Sequence, residues 1–189
     1  MMTEEISGGI AASSSLTPAT HVPESPSGLE RMSAFRPCGW VIAISAARVV
    51  RLFGIDPKVA FVSHSTFGQP LTSRTKHIKK AVDILKDKNV DFEFDGDMQP
   101  DVALNPEYEE LYPFSKIVGK ANILIMPGQH SAAISYKMMK TLGDTKVIGP
   151  LLVGLGLPIE IAPLRSSTSE LINLASIAAY SADVINYKK

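Results

Sequence analysis

One cysteine, Cys38, stands in the 189 residues, so no disulfide can close within the chain. The four histidines are scattered and show no metal-ligand spacing. Neither sign of charge is in excess, with 19 basic and 19 acidic side chains, which removes the global field that would draw the protein to nucleic acid or an anionic membrane. Long apolar runs are missing too. The longest, Trp40 to Ala47, is about half of what spans a bilayer. The start, Met1-Met2-Thr3-Glu4-Glu5, is acidic where a signal peptide is basic, and no arginine precedes Arg31, which argues against a transit peptide. The expectation is a cytoplasmic protein. Gly154-Leu155-Gly156 lacks the third glycine of a dinucleotide loop, and no Gly-Lys-Ser/Thr phosphate loop or internal repeat is visible.

What is present divides the chain. Residues 6 to about 37 are rich in Ser, Pro, Gly and Thr and have no apolar period, so burial there cannot offset chain entropy and disorder is expected. Composition breaks at Cys38-Gly39, giving a leader over 1–40 and a folded portion over 41–189. A helix to Phe53 follows, with Gly54 at its end and Pro57 beyond. Lys58 to Ser63 reads as a buried strand. Thr72 or Ser73 can cap a helix to about Lys88, whose Ile78, Ala81, Val82 and Leu85 share one face. Phe92 to Phe94 reads as a short strand ended by a turn at Asp95-Gly96-Asp97, and Asp101 to Leu111 as a helix. Ala121 to Met126 reads as a central strand and Ser131 to Leu142 as a helix, with Met138 and Met139 filling core gaps. Val147 to Leu152 and Pro158 to Ile161 are strand candidates. Ser167-x-x-Glu170 is a capping box opening a last helix to about Ala182. Strands alternating with helices imply a mainly parallel sheet with helices on both faces, a three-layer α/β/α sandwich.

In such sheets ligands lie beyond the carboxyl ends of strands. The loop Ser63-His64-Ser65-Thr66-Phe67-Gly68-Gln69 leaves a strand end and leads to a helix whose first turns carry Arg74 and Lys76. Hydroxyls, a glycine and helix N–H groups suit an anion there; an ordinary strand-to-helix loop would use the same residues to satisfy its own turns. Leu164-Arg165-Ser166-Ser167-Thr168-Ser169-Glu170 gathers a cation and hydroxyls at a second helix start, where capping alone explains Ser167 and Glu170. His64 and His130 follow strand ends without a nearby carboxylate in sequence, and read as solvated or hydrogen-bonded histidines.

From about Ser45 to Ala182 the chain resembles the phosphate acetyl/butyryltransferase family, in the form appended to bacterial NADP-type malic enzymes. The resemblance is carried by Pro57-Lys58-Val59-Ala60-Phe61-Val62-Ser63 with Ser65-Thr66-Phe67-Gly68, by Asp95-Gly96-Asp97-Met98-Gln99-Pro100-Asp101-Val102-Ala103-Leu104, and by Gly119-Lys120-Ala121-Asn122-Ile123-Leu124-Ile125-Met126-Pro127. Tyr136-Lys137, Ile148-Gly149-Pro150 and Leu171-Ile172-Asn173 continue the same order. It implies a lobe like those of isocitrate and isopropylmalate dehydrogenases, here incomplete, because a whole domain of the family is roughly twice as long. The first forty-odd residues do not resemble the missing half and read as a non-homologous or frame-shifted leader.

The family moves acyl groups between coenzyme A and phosphate in a cleft between two lobes, and assembles as a dimer. Its stand-alone enzymes carry a Ser-Arg-Gly-Cys-type loop before the last helix and an aspartate at the start of that helix. Aligned on Leu171-Ile172-Asn173, those positions are Pro163, Leu164 and Glu170, with Arg165 one place late. Phe67 stands where the family often has lysine. The resemblance therefore implies an acyl-CoA-sensing module, with no catalytic residue assigned, no metal and no tightly bound cofactor. The expected ligand is acetyl-CoA or a related acyl-CoA, held by Ser65, Thr66, Gly68, Arg74, Arg165 and Ser166. The expected assembly is a homodimer through the α/β lobe. A competent phosphate acyltransferase using Arg165, and a dimerisation module without ligand, are the alternatives.

Overall fold

The computed structural model describes residues 10–12, 39–143, 146–153, 155 and 157–186. The chain divides into two compact units, one running through Lys137 and the other from Met138 onward.

The first unit is built on a parallel sheet. Its strands are β1 (Ile10–Ala12), β2 (Lys58–Val62), β3 (Glu93–Met98) and β4 (Ile123–Ile125), in the order β1-β4-β2-β3. Helix α1 (Gly39–Leu52) turns Ala43, Ala46, Ala47 and Val50 inward at i, i+3, i+4 and i+7, and the small alanines let it lie close to the sheet. It ends at Gly54, whose φ of +72° is a left-handed conformation that glycine enters without steric cost. Helix α2 (Ser73–Asp87) starts at a capping box: Thr72 accepts from the Thr75 N–H at 3.3 Å while the Thr75 hydroxyl oxygen accepts from the Thr72 N–H at 2.9 Å. Its Ala81, Val82 and Leu85 are buried and Ile78 packs beside them, on the face expected from their spacing.

Two apolar clusters lie on opposite faces of this sheet. Val59 and Phe61 of β2 join α1 and α2 in one, with Phe94, Ile123 and Ile125. Ala60 and Val62 point the other way, into a smaller cluster with Met98, Ala103, Ile117 and Ala121. Beneath it lies the short helix α3 (Pro100–Leu104), followed by a 3₁₀ turn at Pro106–Glu109. One helix was expected over Asp101–Leu111. Pro106 splits it, because proline lacks an N–H and drives Asn105 out of helical geometry to φ −111°, ψ 113°.

Strand β3 departs furthest from expectation. Asp95-Gly96-Asp97 is not a turn; the strand continues through it to Met98. Phe61 pairs with Gly96 and Val62 with Met98, so Asp97 is the extra residue of a bulge. The bulge explains a reversal of facing. Phe94 and Met98, four residues apart, would share one face of a regular strand, yet they belong to opposite clusters. Gly96 has φ +148°, and a Cβ there would sit 2.7 Å from both Cβ and the carbonyl oxygen of Phe61. At the other end of the sheet, Asn122 fastens β4 to β2 by accepting from the Lys58 N–H at 2.8 Å and donating to the Asp56 carbonyl at 2.7 Å.

The leader also contains a surprise. Disorder was expected over residues 6 to about 37, but Ile10–Ala12 pairs in parallel with Ile123–Ile125. Residues 1–9 and 13–38 lie outside the described residues, and Gly39 and Trp40 open α1. Together these elements form the α/β fold with a parallel open sheet that the alternating pattern implies, as an incomplete α/β/α sandwich.

Helix α4 (Gln129–Leu142) begins in the first unit and ends in the second. Met138 and Met139 on its last turns are exposed rather than filling a core; helical spacing groups side chains on a face but does not supply a layer to cover it. The expected strands at 147–152 and 158–161 are irregular, held instead by contacts such as the Leu152 N–H donating to Glu160 at 3.2 Å. Helix α5 (Thr168–Asn186) closes the unit. No helix among the described residues is long and apolar enough to cross a membrane.

Candidate functional site

Chain order and strand order disagree at β2. The chain leaves β2 to form β3 on one side, then returns to form β4 on the other. Such a reversal opens a crevice at the carboxyl ends of the strands. The loop 63–69 fills that position, and its conformation is fixed by the bulged Asp97.

Asp97 is 4% exposed. Its carboxylate accepts from the hydroxyl of Ser65, which is fully buried, and from the Gly68 N–H at 3.1 Å. Its backbone carbonyl accepts from the Phe67 N–H at 2.6 Å. The Thr66 hydroxyl oxygen accepts from the Gln99 N–H at 3.3 Å, and Thr66 and Gln69 exchange backbone hydrogen bonds at 3.1 and 3.2 Å. The loop is thus tied to the end of β3 at four successive residues. Phe67 takes φ +48° and Gly68 φ +83°, left-handed conformations that this bonding holds in place. The Phe67 ring stands edge-on to Phe114 at 4.8 Å between centroids and tilted against Tyr112 at 5.5 Å.

This assigns distinct jobs to the expected residues. Ser65 and Gly68 spend the Ser65 hydroxyl and the Gly68 N–H on Asp97, so their part is to shape the loop. His64, Arg74 and Lys76 are exposed around it, with the Ser63 hydroxyl 3.4 Å from His64 Nδ1. A second buried carboxylate, Asp95, accepts from the N–H groups of Lys116 and Gly96, each at 2.9 Å. Among the described residues no three His, Cys, Asp or Glu side chains gather to hold a metal.

Arg165 and Ser166 belong to the second unit. The Ser166 N–H donates to the Pro163 carbonyl at 3.0 Å, which turns the chain and leaves Leu164 fully exposed at its tip and Arg165 exposed beside it. Half-buried Ser166 lines a shallow recess with Pro163, Ile148, Gly149, Glu170 and Asn173. The capping box forms as expected: the Glu170 carboxylate accepts from the Ser167 N–H at 2.7 Å, and the Ser167 hydroxyl oxygen accepts from the Glu170 N–H at 3.2 Å. Lys140 adds an ion pair to Glu170 at 2.6 Å. The lysine, then the Ser167 backbone N–H and hydroxyl, hold the Glu170 carboxyl down at about 2. A carboxylate held so low is a poor proton acceptor at neutral pH.

Sequence reasoning missed Asp97, because Asp-Gly-Asp suggests a turn. The available signal was its position three residues before Pro100.

The chain belongs to the family described as phosphate acetyl/butaryl transferase, which it matches over residues 40–179. It is 50% identical over 141 residues to an NADP-dependent malic enzyme of Rhizobium meliloti, covering 75% of this chain and 18% of that one. It is 35% identical to a phosphate acetyltransferase of Bacillus subtilis, covering 73% and 43%. Among solved structures, a phosphotransacetylase from Streptococcus pyogenes superposes with a TM-score of 0.72 at 34% identity, over 77% of this chain and 45% of that one. The chain therefore spans less than half the length of each of these relatives.

Proposed function

We propose that this chain is an acyl-CoA-sensing module of the kind appended to NADP-dependent malic enzymes, and that it does not transfer acyl groups itself. The observation that carries this reading is the start of the last helix. Where the family's transferases are expected to place serine, arginine and aspartate, this chain has Pro163, Leu164 and Glu170. Proline offers no side-chain group to orient or deprotonate a thiol, and leucine offers no charge to offset phosphate. Glu170 is committed to Lys140 and Ser167. The 50% identity to a malic enzyme, against 35% to a phosphate acetyltransferase, favours the same branch.

In this reading acetyl-CoA or a related acyl-CoA is the ligand, in a cytoplasmic homodimer. Arg74 with Thr66 in the first unit, and Arg165 with Ser166 in the second, are the candidate contacts for its phosphates, each unit taken by itself, while Ser65 and Gly68 keep the loop in shape. The test has two parts. Purified protein mixed with acetyl-CoA and phosphate forms no acetyl phosphate above a blank; turnover that disappears with Arg165→Ala overturns the sensing reading in favour of a transferase. Calorimetric titration with acetyl-CoA detects binding, and Arg74→Ala or Arg165→Ala weakens it about tenfold to a hundredfold, the worth of one charged hydrogen bond. No binding by the folded protein leaves a dimerisation module.

A further inference from the structure

We infer that the outer edge of β4 is a strand-acceptor site, which takes a short uncharged extended segment in parallel, and that the leader of this chain fills it in cis through Ile10–Ala12. The inference is independent of any ligand reading.

It begins from the sheet. In the order β1-β4-β2-β3, removing β1 would leave β4 as an edge, with a row of backbone N–H and C=O groups unpaired. Ile123 at 0% and Ile125 at 4% exposure are deeply buried and Leu124 is partly buried, so β4 is an apolar strand packed into the core. An edge of that kind is a template for strand addition. The occupant is drawn from outside the family-matched stretch, which starts at residue 40. Its pairing is in register at all three positions, Ile10 with Ile123, Ala11 with Leu124 and Ala12 with Ile125, and α1 lies across both strands.

The leader's sequence explains why this segment is the one that docks. Ile10-Ala11-Ala12 is uncharged and free of proline, between Gly8-Gly9 and Ser13-Ser14-Ser15. The leader's prolines, Pro18, Pro23, Pro26 and Pro37, all come later. A three-residue ladder is weak alone, but its place on the same chain makes docking intramolecular, which favours pairing in cis.

The experiment is amide hydrogen exchange on the full chain carrying Ala11→Pro and Ala12→Pro together, with Ser14→Pro as the control. Proline removes the N–H groups a ladder needs, so exchange of the β4 amides facing β1 speeds by roughly tenfold, the equivalent of one lost backbone hydrogen bond. Amides of α2 and those joining β2 to β3 stay as in the parent, as does the whole Ser14→Pro variant. A synthetic peptide of residues 7–15, added in excess to the double variant, restores the slow exchange. Unchanged β4 exchange in the double variant overturns the inference, and so does a failure of the peptide to restore it. Should the double variant unfold, Ala11→Gly with Ala12→Gly weakens the strand without removing a donor, and acceleration confined to β4 is then the required result.

Discussion

Replacing Asp97 by alanine removes the carboxylate that holds the loop 63–69 against the end of β3. Two hydrogen bonds to a charged acceptor are lost, from the Ser65 hydroxyl and the Gly68 N–H. Each contributes about 1.5–3 kcal/mol, so the loss is about 3–6 kcal/mol before relaxation. Relaxation recovers little. Ser65 is fully buried, and its nearest remaining partner is the Ser63 hydroxyl at 3.3 Å. Asp97→Asn separates charge from shape. Its amide oxygen still accepts from the Gly68 N–H while its NH₂ donates to the Ser65 oxygen, so it costs about 2–3 kcal/mol, the difference between two charged and two neutral bonds. Urea denaturation followed by circular dichroism measures both, and amide exchange at Phe67 and Gly68 localises the effect. An Asp97→Ala variant within about 0.5 kcal/mol of the parent, the range of an unremarkable surface change, would refute the pinning role.

Gly96→Ala forces a methyl group to within 2.7 Å of Phe61 at a φ of +148°, and should destabilise the first unit by about 3 kcal/mol or more, read by urea denaturation. Thr72→Ala removes the cap of α2 and should cost about 1 kcal/mol in the same assay. Glu170 has a folded pKa of about 2, below its ordinary 4.5, so its stabilisation is fully present above about pH 4.5 and lost as pH falls towards 2. Circular dichroism should show that loss in this window, and Glu170→Gln should remove the part of the pH dependence that Glu170 contributes. Glu160 works in the opposite sense: burial raises its pKa, so its ionisation opposes folding as pH rises past the ordinary carboxyl range, and carbon-13 NMR of its carboxyl should place its midpoint above 4.5.

Most of the first unit is legible in the sequence because burial there is one-sided and periodic. Ile78, Ala81, Val82 and Leu85 can share a face only on a helix, and α2 forms with that face inward. Capping chemistry marks Ser167 plainly and narrows the start of α2 to Thr72 or Ser73, since a hydroxyl three residues before a reciprocating side chain satisfies N–H groups that any helix start leaves bare. Val147 to Leu152 shows the limit. A short apolar run is compatible with a strand, but a strand needs a partner, and local sequence says nothing of whether one is available. Ile10–Ala12 is the converse case: three uncharged residues with no period of their own become a strand because β4 offers an edge.

The loop itself was legible in the sequence, and its support was not. Ser65, Thr66 and Gly68 advertise an anion site by composition, yet composition cannot say whether their polar groups turn outward to a ligand or inward to the protein. The bulge decides it. By adding one residue to β3 it keeps Asp97 buried beneath the loop and sends Met98 to the opposite cluster from Phe94. A carboxylate in that position satisfies Ser65 and Gly68 without any ligand, and its negative charge discourages an anion from replacing it. On the proposed reading the groups left for a phosphate are those that the inward bonding does not use, and around this loop the positive ones are Arg74 and Lys76, both exposed. Binding through long exposed cations is sensitive to salt, because charges separated by more than about 8 Å are largely screened at physiological ionic strength. Acetyl-CoA affinity measured in 50 mM and 500 mM potassium chloride should therefore fall severalfold, and the share of that dependence not owed to Arg165 should vanish in a chain carrying both Arg74→Ala and Lys76→Ala. A dependence left intact by the double variant would move the phosphates away from this loop.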